Sequence, residues 1–202
     1  MNSGEAVTAM SSLTAWIISL TLGLCAVIVT AGAHQPFLNL LATGLVSAAF
    51  ASMAIRENRA LIADGADKNV IAASTARYIG LVWAWAAIAL LVIYALVFEN
   101  DWPEWWQFFL SFATAAVGCI IFSNMMERDA ADGKEDDAVM GVGRLLVKIQ
   151  LVGIAVGVIS LFVDGKFPRE TTNPDWAACN IFFFGGIAIA AICANALSAP
   201  RS

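Results

Sequence analysis

Six long apolar runs, at residues 13–33, 37–55, 78–98, 105–126, 145–163 and 176–199, constrain this chain more than any motif in it. Each is close to the ~20 helical residues that cross a hydrocarbon core of ~30 Å. Lys148 is the only formally charged side chain inside them. A soluble fold would need far more partner surface than the rest of the chain offers, since hydrophobic residues make up 60% of it and charged residues 13%. An ordinary globular domain carries about a quarter charged. A transmembrane barrel would need segments of ~10 residues that alternate in polarity, and these runs do not alternate. The expected fold is therefore an all-α membrane protein, a single bundle of six transmembrane helices over 1–202.

The first run could imitate a secretion signal, because "AGA" at 31–33 has the look of a cleavage site. No Lys or Arg precedes Leu13, however, and the run is long for such a segment. It is read as the first span. Basic residues then set the orientation, since they concentrate on the cytoplasmic side of bacterial-type membranes. With six spans, nine of the eleven fall on the side shared by both termini and the connections near 56–77 and 127–144; only Lys166 and Arg169 fall opposite. The expectation is a multi-pass inner (plasma) membrane protein with both termini cytoplasmic. A net charge of −5 and the lack of a polybasic run exclude nucleic acid as a partner class; membrane lipids are the expected surroundings.

Two polar stretches, "ENRALIADGADKNV" at 57–70 and "ERDAADGKEDDAV" at 127–139, read nearly alike about seventy residues apart. Ala63-Asp64-Gly65 matches Ala131-Asp132-Gly133, and Asp67 and Val70 match Asp136 and Val139. Pro36, Pro103 and Pro174 each stand at the start of an even-numbered run, where proline's missing N–H costs nothing. Three tandem helical hairpins, with candidate repeats 1–66, 67–135 and 136–202, account for both observations. The residues before each Asp-Gly are good helix formers, and Gly65 and Gly133 stand where a helix would end in the left-handed conformation. Helices two to three and four to five are thus expected to continue past the membrane and turn at Asp-Gly. The acidic run "DGKEDD" lacks the ligand order and the closing Glu of a calcium loop, and is read as a solvated turn.

Chemistry-bearing residues are few. There is one histidine, His34, and no Ser-His-Asp set, zinc-protease helix, phosphate loop or dinucleotide fingerprint. Cys25, Cys119, Cys179 and Cys193 all lie in apolar runs without CxxC spacing, so they read as small hydrophobes. No catalytic, cofactor-binding or metal-ligating residue is expected. Outer-loop acids beside His34 (Glu99, Asp101, Glu104 and Asp175) read as solvated. Lys148, four residues after Arg144, is placed to snorkel, or to face a cavity together with Gln150.

Two functional readings remain. One is a non-enzymatic accessory or scaffold subunit, or an oligomeric assembly component, meeting a protein partner or further copies of itself. Its packing faces would be Gly44, Gly118, Gly153, Gly157, Gly185 and Gly186. The other is a small channel or facilitator for a neutral or weakly polar solute, with a path lined by Asn39, Thr43, Ser47, Gln107, Ser111, Thr114, Asn180, Lys148 and Gln150. Trp102, Trp105 and Trp106 are expected as interfacial anchors. Trp83 and Trp85, on different helix faces, lead to the expectation that at least one faces lipid or a neighbouring chain.

Overall fold

The computed structural model describes residues 3–98, 105–133, 137–163 and 175–197. Among these the chain is helical throughout, with no strand. The elements are α1 (Ser3–Gly32), α2 (Pro36–Ala63), α3 (Lys68–Val92, continued by a π-helical turn over Ile93–Val97), α4 (Trp105–Ala131), α5 (Asp137–Val163) and α6 (Asp175–Leu197). Four helices are long and apolar enough to cross a membrane: α2, α3 with its π turn, α4, and α6 over Trp176–Ala196. In α1 and α5 the described apolar stretches are shorter, Ile18–Gly32 and Val147–Ser160. At 1.5 Å per residue α2 is about 42 Å long, roughly 12 Å more than a hydrocarbon core needs.

Helix ends follow local chemistry. Pro36 occupies the first turn of α2. Gly65, at φ +70°, turns the chain after Ala63, and Gly133, at φ +62°, does the same after Ala131. In both places the left-handed conformation is one that glycine adopts without steric cost. Asp67 caps α3, its carboxylate accepting from the Asn69 N–H at 2.7 Å, so one orphan donor of the new helix is satisfied at once. Pro103 and Pro174 lie outside the described residues.

The centre of the bundle is α3. Its Ile79, Val82, Trp83, Trp85, Ala86 and Leu90 are all buried although they point in different directions, because α2, α4 and α6 each pack along it. Trp85 meets Phe50 of α2, with ring centroids 6.2 Å apart, while Trp83 stacks on Phe112 of α4 at 5.0 Å. The expectation that one of these tryptophans faces outward is therefore corrected: with helices on several sides of α3, both faces are inside. The α3–α4 approach is close because Gly80 carries no side chain; a Cβ there would sit 3.2 Å from the Ala116 carbonyl oxygen and from Cys119 Cβ. By contrast α4 is largely exposed, and α5 leans mainly on α6.

Candidate functional site

Two buried polar clusters stand at opposite ends of the bundle. The first, near Pro36, is built on Asn39, which is fully buried. Its amide nitrogen donates to the Val27 carbonyl at 2.8 Å and to Thr30 Oγ1 at 3.3 Å, both on α1. Its amide oxygen accepts from Asn180 Nδ2 of α6 at 3.1 Å. One turn on, Thr43 donates its hydroxyl back to the Asn39 carbonyl at 2.7 Å. One side chain thus ties three helices, in surroundings where an unsatisfied amide has no water to turn to.

An aromatic cap lies at the same end. The π turn places Tyr94 so that its hydroxyl oxygen accepts from the Ala178 N–H in the first turn of α6 at 3.2 Å. Phe98, which ends the turn, packs against Tyr94, Trp176 and the His34 ring, the last at 5.3 Å between centroids. His34 takes φ 51° in the tight connection from α1 to α2.

The second cluster straddles the Asp64–Asp67 turn. Asn58, fully buried, donates to Thr75 Oγ1 at 3.0 Å and accepts from Ser74 Oγ at 2.9 Å. Ser74 also lies 3.3 Å from one oxygen of Glu57, and Tyr78 donates its hydroxyl to the other. Ser123 of α4 donates to the Ala73 carbonyl at 2.8 Å, and Arg77 pairs with Glu127 across the exposed α3–α4 edge. The reading of the sequence missed this cluster. The signal was present: Glu57-Asn58 and Ser74-Thr75-x-x-Tyr78 flank the Asp-Gly turn at nearly equal distances, so an antiparallel pair must bring them face to face.

Residues singled out from the sequence divide into three groups. Asn39, Thr43, Ser47 and Asn180 are buried on the α2 and α6 faces that meet near the first cluster, and Ser47 Oγ has no hydrogen-bond partner. Gln107, Ser111 and Thr114 are exposed on α4, away from that cluster. The Ser111 hydroxyl donates to the Gln107 carbonyl at 2.8 Å, and that of Thr114 to the Leu110 carbonyl. Lys148 is exposed on α5, whereas Gln150 points inward, Nε2 standing 3.5 Å from Cys119 Sγ and Oε1 buried without a partner.

The small residues divide in the same way. A Cβ on Gly44 would meet Phe184 at 3.2 Å, one on Gly157 would meet Phe182 at 2.5 Å, and one on Gly186 would meet Ile154 at 2.7 Å. Gly185 faces Val82 at 3.7 Å, while Gly118 and Gly153 face open space. Trp105 is half-buried against Phe109, and Trp106 is exposed. Trp102 and the acids Glu99, Asp101 and Glu104 lie outside the described residues.

Among the described residues no three His, Cys, Asp or Glu side chains gather as metal ligands would. What the two clusters do chemically is bond helices to one another. No protein-family model, curated protein or solved structure matches the chain.

Proposed function

We propose that this chain is a non-enzymatic polytopic membrane protein whose work is assembly, as an accessory or scaffold subunit or as a component of an oligomer. The observation that supports this reading is how the polar side chains in the helices are used. Asn39 and Asn180 spend amide groups on each other, and Thr43 spends its hydroxyl on the Asn39 carbonyl. Gln107, Ser111 and Thr114 lie on an outward face of α4, where a neighbouring chain is the natural recipient of polar and small residues. The proposal includes six spans arranged as three tandem hairpins, with α2–α3 and α4–α5 reaching past the membrane at their turns. It also places both termini on the cytoplasmic side of a bacterial-type inner membrane. The positive φ shared by Gly65 and Gly133 in matching Ala-Asp-Gly sequences supports the repeat.

A facilitator for a neutral or weakly polar solute is the second reading. Ser47 favours it, because its unpartnered hydroxyl continues the buried line Asn39–Thr43 toward the bundle middle. Swelling of liposomes carrying the purified protein, with glycerol and urea as solutes, separates the two. Assembly predicts the swelling rate of protein-free liposomes. A faster rate that falls on Thr43→Val would replace the proposal with the facilitator.

A further inference from the structure

We propose that Gln150 fixes the register of α5 in the bundle, selecting between two positions, one helical turn apart, that the rest of its seam against α6 accepts. The sequence of α5 carries one pattern twice in succession: Gln150-Leu151-Val152-Gly153, then Ile154-Ala155-Val156-Gly157. The second copy is the one α6 engages. Ile154 lies over Gly186, where a Cβ would come within 2.7 Å of Ile154 Cγ2. The tip of the Phe182 ring fills the hollow at Gly157, 2.5 Å from the place of a Cβ. The two contacts agree on a single alignment of these antiparallel helices, since residue numbers on α5 fall by three as those on α6 rise by four.

A screw motion of α5 by four residues toward the Pro36 end, about 6 Å along its axis and about 40° around it, keeps this scheme but uses the first copy. Gly153 then receives the Phe182 ring. In the present register Gly153 faces open space, with nothing within 4 Å of a Cβ there. Residue 150 meanwhile takes the place of Ile154 over Gly186. Shifts of one turn between packed helices are an established kind of motion, and an aliphatic residue at 150 would make the two registers nearly alike.

Glutamine makes them differ. Its amide nitrogen stands 3.5 Å from Cys119 Sγ of α4. Cys119 is pressed against the central helix, its Cβ 3.2 Å from the place of a Gly80 Cβ. The amide thus has one partner, because Oε1 is buried without any, and exchanging its two ends leaves the number at one. In the shifted register that partner is lost, and the whole amide enters the site of Ile154, which is only 8% exposed. Burying an unpaired amide where no water reaches is costly, so a weak contact to sulfur suffices to decide the register. A single polar residue in an apolar seam specifies register in the same way between coiled helices, at some expense of stability. Phe122 of α4 also rests against Gly143 of α5, but it is half-exposed and its ring has room to turn outward as α5 moves.

The test reads the position of α5 in liposomes from the distance between spin labels at Ala60 and Val163, which are exposed at opposite ends of the bundle on α2 and α5. The labels are carried on a ketone-bearing amino acid, so that Cys119 keeps its thiol. With Gln150 in place a single distance is expected. Gln150→Ile, and independently Gln150→Leu, are expected to add a second population about 5 Å longer. Gly153→Leu, made in either variant, is expected to erase that population by filling the hollow that the shifted register needs. Two populations with Gln150 in place, a single unchanged distance in either Gln150 variant, or a second population that survives Gly153→Leu would each overturn the proposal.

Discussion

Replacing Asn39 by alanine is the sharpest test of the bonding scheme near Pro36. The substitution removes three side-chain contacts: to the Val27 carbonyl, to Thr30 Oγ1 and from Asn180 Nδ2. The Val27 carbonyl and Thr30 retain partners within α1, the latter donating to the Ala26 carbonyl. Asn180 is the residue that loses most, since its donor is left facing an alanine at a buried position. An unmade bond at a buried polar group costs about 1–3 kcal/mol. Within membrane bundles a single interhelical hydrogen bond is worth on average about 0.6 kcal/mol, and up to about 1.7. With two partners on α1 and one on α6, Asn39→Ala is expected to destabilise by about 2 kcal/mol. The assay is reversible unfolding in mixed detergent and SDS micelles, followed by tryptophan fluorescence. In a double-mutant cycle with Asn180→Ala, a coupling of about 1 kcal/mol is expected, because the second substitution has less left to lose. Additive single effects, within about 0.3 kcal/mol, would refute the reasoning: the amides would then not be bonded to each other.

Four further substitutions probe the packing, the turn and the exposed ion pair. Gly157→Ala brings a methyl group to 2.5 Å from the tip of the Phe182 ring. A packing cost of about 1–3 kcal/mol less up to about 1 kcal/mol of helix propensity leaves a net loss of about 1 kcal/mol expected in the same unfolding assay, whereas Gly153→Ala, facing open space, gains up to about 1 kcal/mol of helix propensity. Gly65→Ala forces an L-residue to φ +70° and should lose about 1 kcal/mol, visible as faster proteolysis at the Asp64–Asp67 turn. The Arg77–Glu127 pair is nearly half exposed on both sides, so Glu127→Gln should change stability by less than about 1 kcal/mol, an effect that fades as salt is raised.

Much of the fold is legible in the chain because a bilayer allows few solutions: uninterrupted apolar runs, proline at a helix start and Asp-Gly at a turn each carry their meaning locally. Partnership is not local. Asn39 and Asn180 are each visible as polar residues inside an apolar run, but their contact joins positions 141 apart in the chain, and no periodicity encodes that. Trp83 and Trp85 show the related failure. A helical wheel separates them onto different faces, yet which helix will be surrounded depends on how the others pack, and apolarity is no guide: α5 is as apolar as α3 and is largely exposed. The Glu57–Asn58–Ser74–Thr75–Tyr78 cluster was within reach, since its residues flank a turn already recognised, but the polar stretch read only as two helices continuing past the membrane and turning at Asp-Gly.

Assembly is the central claim, and the mass of the protein taken gently from its own membrane tests it most directly. Extracted with its lipid by polymer nanodiscs and weighed by native mass spectrometry, the chain should leave the membrane bound in fixed stoichiometry, to a second copy, to a different protein or to both. A sharp peak at the mass of one chain, unchanged across extraction conditions, would contradict the account and leave solute movement as the activity to pursue.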